Sequence, residues 1–71
     1  MHSFLYDSVK SWPELNLMQA STVENIIKRQ HPEFQIVILL AGSPVTKDLK
    51  HGRVRLFINI AGFVVQIPHE G

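Results

Sequence analysis

A chain of 71 residues with no cysteine, 45% hydrophobic and 18% charged residues and a net charge of +1 has the composition of one small globular domain. At this length folding removes only about 60% of the unfolded surface from water, which argues against a large internal active site. Without disulfides, all rigidity must come from packing and hydrogen bonds, and the near-balanced charge gives no reason to expect a polyanionic partner.

Residues 1–11 show no clear period and read as an extended, loosely held arm at the front of a single domain spanning 1–71. The opening Met1-His2-Ser3-Phe4-Leu5-Tyr6-Asp7 lacks the basic segment and long apolar core of a secretion signal. No apolar run approaches the roughly 20 residues needed to span a bilayer. A soluble molecule without a membrane partner is expected. Its location stays open, since a signal removed beforehand would fit secretion.

Trp12-Pro13 predicts an extended turn, because the proline ring restricts the residue before it, and Trp12 is the expected core anchor. Leu17, Ala20, Val23 and Ile27 follow helical spacing, with Ile26 widening the stripe, so one amphipathic helix should cover about Ala20 to Gln30. Ser21 and Glu24 form the Ser-x-x-Glu pattern of a capping box, and Pro32 stops the helix.

Phe34 to Leu40 predicts a strand, and the unbroken run Ile36-Val37-Ile38-Leu39-Leu40 suggests a central position covered on both faces. Arg53 to Asn59 predicts a second strand, with Val54, Leu56 and Ile58 inward and Arg53 and Arg55 emerging together on the other face. A short third strand is expected from Val64 to Ile67 after a turn at Ala61-Gly62, with Pro68 confining it to an edge or ending it.

Between the first two strands lie about a dozen residues without regular pattern, a length at which a loop in a compact domain is usually functional. It permits a parallel crossover, though the spacing alone leaves an antiparallel pair open. From Gly42 to Gly52 the loop reads Gly-Ser-Pro-Val-Thr-Lys-Asp-Leu-Lys-His-Gly. Pro44 locks its own backbone and pushes Ser43 toward extension, and Val45 and Thr46 are β-branched, so the segment should be stiff and extended.

This loop and the strand after it resemble the potato inhibitor I family of serine protease inhibitors, in its eglin-like form. Trp12-Pro13-Glu14-Leu15, Ile36 to Leu40, Val64-Val65, Ile67-Pro68-His69 and Gly71 extend the resemblance over most of the chain. It departs at Leu17-Met18, where the family commonly has Gly-Lys, and at Gln19, where it usually has a serine or threonine cap. The resemblance implies an α+β fold: one helix on a small mixed sheet, the first two strands parallel, and a long exposed loop. It implies reversible, substrate-like inhibition with Lys47-Asp48 as the bond facing the protease serine and Gly42, Ser43, Pro44, Val45, Thr46, Leu49 and Lys50 as the surrounding binding loop. It further implies that Arg53 and Arg55 lie beneath the loop and bond to Thr46 and Asp48, with the Gly71 carboxylate holding both from behind. Lysine at the reactive position favours trypsin-like endopeptidases, with subtilisin- or chymotrypsin-like enzymes as further targets. The inhibitor would act as a monomer and need no cofactor.

On composition alone, Lys47, Arg53 and Arg55 would pass for ordinary solvated charges. The alternative function is a small nucleic-acid-binding module: Lys47, Lys50, His51, Arg53 and Arg55 fall within nine positions. Against it, Phe57 is the one aromatic nearby, and Asp48 interrupts the run. His2, His31, His51 and His69 lack metal-ligand spacing. No enzyme is expected, because nothing marks a catalytic set.

Overall fold

The computed structural model describes residues 10–71; residues 1–9 of the expected arm lie outside them. Lys10 and Ser11 are tied to the far end of the chain. Ser11 pairs antiparallel with His69, and the Glu70 N–H donates to the Lys10 carbonyl at 2.7 Å. Trp12 then enters the core with 5% of its surface exposed. Its N–H donates to the Pro68 carbonyl and its indole Nε1 to Gln30 Oε1, both at 2.9 Å, so the anchor's polar edge is satisfied. Pro13–Leu15 forms a single 3₁₀ turn with proline at its start, where a missing N–H does no harm.

Helix α1 spans Ala20–Gln30, as the apolar spacing predicts, and buries Ala20, Val23 and Ile27. The capping box is not used. Gln19 occupies the N-cap and makes no side-chain bond, while Ser21 already lies inside the helix. Tertiary pairing replaces the local cap: Ala20 N–H donates to the Gly62 carbonyl at 2.9 Å, and Gln19 bridges Phe63. Leu17 also falls outside the helical stripe. It is 70% exposed, with φ at +70°, and its N–H donates to the Val64 carbonyl at 2.7 Å.

Strands β1, Gln35–Leu40, and β2, Arg53–Ile58, are parallel in a register running from Gln35 opposite Arg53 to Leu40 opposite Ile58. Val54 and Leu56 are completely buried with Val23, Ile27 and Val64, and Trp12, Leu15 and Phe34 close the core around them. The expectation that β1 lies centrally, covered on both faces, is not met. Among the described residues the sheet has two strands, one helix covers it from one side, and Ile38 and Leu40 are 40% and 55% exposed.

Val64 to Ile67 does not form a third strand. Val64 makes an isolated antiparallel bridge to Ile58, and Val65 N–H reaches the Phe57 carbonyl, but Val64 N–H is drawn to Met18 instead of along β2. Pro68, fully buried, has no N–H to extend the ladder. The fold is therefore α+β as expected, with the mixed character of the sheet reduced to a parallel pair edged by antiparallel bridges at Val54–Glu70 and Ile58–Val64.

Leu17 occupies the left-handed backbone region, which costs an L-residue roughly 1–2 kcal/mol. Its exposed side chain returns little of that. Leu17→Gly should therefore raise unfolding free energy by about 0.5–1 kcal/mol after the greater entropy of a glycine in the unfolded chain is subtracted. Urea titration of both proteins would check this, and a less stable glycine variant would mean that Leu17 packs in a way its exposure hides.

Candidate functional site

The loop joining β1 to β2 is delimited by two glycines, Gly42 at φ +88° and Gly52 at φ +80°, conformations that side-chain-bearing residues rarely adopt. At the entrance, Ala41 N–H donates to the Ile58 carbonyl at 2.8 Å and Ser43 N–H to the Leu40 carbonyl at 3.0 Å. At the exit, the Gly52 carbonyl accepts from Gln35 N–H at 2.7 Å. Between these anchors Pro44, Val45, Thr46, Lys47, Asp48, Leu49, Lys50 and His51 are all exposed, and the segment has no regular secondary structure. Lys47 and Asp48 stand in its middle.

What lies beneath the loop follows from the alternation of β2. Burying Val54 and Leu56 forces Arg53 and Arg55 onto the opposite face. Their side chains are only 11% and 17% exposed, which rules out two freely solvated charges. Arg53 Nη2 donates to the Asp48 carbonyl at 3.1 Å, and Arg55 donates through Nη1 to the Thr46 carbonyl at 3.0 Å and through Nη2 to Thr46 Oγ1 at 2.7 Å. Both guanidiniums also face the Asp48 carboxylate, at 3.5 Å from Arg53 and 3.8 Å from Arg55. The main chain is thus gripped on both sides of Lys47, while the Lys47 side chain is left to solvent.

Behind this pair, Arg53 Nε donates to the Gly71 main-chain oxygen at 2.9 Å, and Gly71 N–H returns a bond to the Arg53 carbonyl at 2.7 Å. These bonds fix Arg53, whereas the contacts of Arg55 run forward to Thr46 and Asp48. The Asp48 carboxyl is held below its ordinary range chiefly by the Thr46 hydroxyl and then by its own N–H, with desolvation opposing them and Arg53 adding to the lowering.

Glu70 is a site residue that sequence reasoning missed. A glutamate next to the last residue reads as a solvated charge, yet this one is 5% exposed. Its carboxylate spans two backbone donors, Gly52 N–H to Oε2 at 2.7 Å and Lys10 N–H to Oε1 at 3.3 Å, with His51 Nδ1 3.7 Å from Oε2. Burial pushes the Glu70 pKa up, but the Gly52 and Lys10 amides, with smaller contributions from His51 and Lys10, outweigh it and leave the carboxyl below its ordinary range. The bridge from Val54 to Glu70 places the residue beside β2, an arrangement created by tertiary pairing and carrying no local signal.

Arg53 and Arg55 are committed to the loop, so two of the five clustered basic or titratable residues are not free to contact phosphate. The nucleic-acid alternative has no other support.

The potato inhibitor I family model matches residues 6–71. The chain is 55% identical over 58 residues to a wound-induced proteinase inhibitor 1 of Solanum peruvianum, covering 80% of this chain and 52% of that one. It therefore spans about half the length of that relative. It is 46% identical over 61 residues to an inhibitor of trypsin and Hageman factor of Cucurbita maxima, covering 86% of this chain and 90% of that one. Among solved structures, a bitter gourd trypsin inhibitor superposes with a TM-score of 0.81 at 34% identity, covering 86% of this chain and 90% of the other. Cucurbita maxima trypsin inhibitor V superposes with a TM-score of 0.68 at 45% identity, covering 87% and 91%.

A carboxylate with a depressed folded pKa stabilises the fold above its unfolded pKa, and that contribution is lost as pH falls through the folded value. Glu70 and Asp48 are both of this kind. Stability in urea should consequently decline as pH is lowered from about 5 toward 3, and Glu70→Gln, though less stable near neutrality, should flatten that decline. A pH profile of unchanged slope in the variant would show that Glu70 does not contribute to it.

Proposed function

The chain belongs to the potato inhibitor I family, and we propose that it inhibits serine endopeptidases in a reversible, substrate-like way through the loop from Gly42 to Gly52, with Lys47-Asp48 as the reactive bond. The observation that carries this reading is the grip of Arg55 on the Thr46 carbonyl and of Arg53 on the Asp48 carbonyl, one on each side of Lys47. An exposed peptide bond braced on both sides has the form of a substrate that cannot relax after it is cut.

The protease serine Oγ attacks the Lys47 carbonyl carbon, its proton passing to the catalytic histidine, and the oxyanion donors of the enzyme receive the carbonyl oxygen. Collapse forms the Lys47 acyl-enzyme, breaks the C–N bond and gives the histidine's proton to the Asp48 amine. In a flexible substrate that amine diffuses away and water hydrolyses the ester. Here Arg53 retains Asp48 through its carbonyl and its carboxylate, so the amine stays beside the ester and attacks it, restoring the peptide bond.

The magnitudes agree with this. Fixing Thr46, Lys47 and Asp48 costs about 1–2 kcal/mol each in backbone entropy. Hydrogen bonds to charged groups contribute roughly 1.5–3 kcal/mol each, fewer when exposed, so the three guanidinium bonds are of the same size as the ordering they oppose. Losing either arginine should tip the balance toward a mobile loop.

A trypsin-like target follows from Lys47, whose ammonium suits an acid-floored specificity pocket, and the trypsin inhibitors named among the relatives support it. Backbone contacts along Pro44 to Leu49 extend the reach to subtilisin- and chymotrypsin-like enzymes. One inhibitor molecule acts on one protease, across an interface of about 800 Å² per partner.

Lys47→Leu should weaken trypsin inhibition by at least about a hundredfold, the loss expected when a buried charge pair disappears, and preserve or improve inhibition of chymotrypsin and subtilisin. Inhibition constants against the three enzymes measure this, and unchanged trypsin inhibition would place the reactive bond elsewhere.

Arg53→Ala and Arg55→Ala, singly and more so together, should leave the domain folded but speed dissociation and cutting after Lys47, since the binding surface remains while its preorganisation is lost. Time-resolved mass spectrometry with trypsin would reveal accumulating chain nicked between Lys47 and Asp48. A double variant that stays uncut and inhibits as tightly as the parent would refute the brace.

A further inference from the structure

We propose that Glu70 is a third positioning residue of the inhibitory loop, beside Arg53 and Arg55, its carboxylate fastening the leaving-group side at Gly52 to the N-terminal segment at Lys10. The inference rests on the reading of Lys47-Asp48 as the reactive bond. It concerns the stretch beyond Asp48, from Leu49 to Gly52, where the arginine side chains make no hydrogen bond to the loop.

After cleavage the new amine belongs to Asp48, and the chain from Asp48 to Gly52 becomes a free end rooted only at β2. Arg53 holds the Asp48 carbonyl. Beyond Asp48, Leu49, Lys50 and His51 are exposed, so the next fixed point is Gly52. Gly52 is fixed on both faces of its residue: its carbonyl accepts from Gln35 N–H and its N–H donates to Glu70 Oε2, each at 2.7 Å. Gly52 adopts the left-handed backbone, with φ at +80°.

Glu70 is itself immobile. Its N–H donates to the Lys10 carbonyl at 2.7 Å, its Oε1 accepts from Lys10 N–H at 3.3 Å, and its backbone bridges Val54 in the core. The carboxylate is therefore a shared acceptor joining three remote pieces of chain. Next to it, a Cβ placed on Gly71 would come within 3.3 Å of Leu49 Cδ1, so the terminal segment also lies directly under the exposed leaving-group side. Freedom gained by Asp48 to His51 on cleavage is limited by this clamp. Removing the clamp favours the nicked form and slows religation, even with both arginines intact.

The test compares the parent with Glu70→Leu and Glu70→Gln. Each full chain is brought to equilibrium with a trace of trypsin, starting from intact and from nicked inhibitor, and the ratio of nicked to intact is measured by mass spectrometry. Glu70→Leu should raise that ratio about tenfold, because a charge-assisted bond that opposes release is gone. Glu70→Gln, whose amide oxygen can still accept from Gly52 N–H, should shift it less. A ratio in Glu70→Leu equal to that of the parent, or equal shifts in both variants that follow their melting temperatures, would overturn the proposal. Hydrogen exchange of the Gly52 amide in the parent decides the matter even where a variant fails to fold. Protection of that amide against the exposed neighbours is expected, and exchange as fast as theirs would show that no clamp exists. Failure of the parent to inhibit any serine protease would instead sink the functional reading, leaving the Gly52 measurement untouched.

Discussion

The conformation of the loop depends on the reach of two guanidiniums from β2 to the main chain above it. A protein with no disulfide must hold an exposed segment by noncovalent means, and hydrophobic packing cannot do it, since Pro44 to His51 are all exposed. Arginine meets the requirement because its planar fork donates several bonds in fixed directions, and the two forks divide the work. Arg55 serves Thr46 through both carbonyl and hydroxyl, and Arg53 serves Asp48 in front and Gly71 behind. Asp48 lies against both guanidiniums, which offsets their mutual repulsion on one strand face.

That arrangement is a consequence of the core. The side chains of β2 alternate strictly, so burying Val54 and Leu56 determines where Arg53 and Arg55 point. A slip of one residue would send the arginines into the apolar interior and the aliphatic side chains to the loop. The complete burial of Val54 and Leu56 against α1 therefore sets the geometry of the loop from Gly42 to Gly52 as well as the stability of the fold.

What could be read from the sequence was what local patterning carries. The apolar stripe of α1, the alternation of β2 and the punctuation by Trp12-Pro13 and Pro32 all have short-range physical causes, and the bounds of α1 agree with the structure. The failures share an origin in pairing between distant segments. Ser21 and Glu24 spell a cap, but the Gly62 carbonyl reaches the helix start first. The run in β1 reads as doubly covered because its residues are apolar, although among the described residues one α-helix covers a sheet of two strands. Val64 to Ile67 has strand propensity, yet the Val64 N–H belongs to Met18. Glu70 had no signal at all, because its partners lie 18 and 60 positions away.

Those distant pairings bear on how firmly the loop is held. Lys10 and Ser11, His69 to Gly71, and the Gly52-Arg53 step that ends the loop meet at one place, so both described ends of the chain converge beneath the C-terminal end of the loop. Local opening of a loop is cheap when its anchors can come loose separately. Here, Gly52 cannot be released without breaking the Glu70 carboxylate bond, and Glu70 cannot move without disturbing its bridge to Val54 and the pairing of Lys10. Mobility at the C-terminal end of the loop is thereby opposed by the same contacts that hold the edge of the core. A small protein can in this way keep an exposed peptide bond rigid without a covalent cross-link.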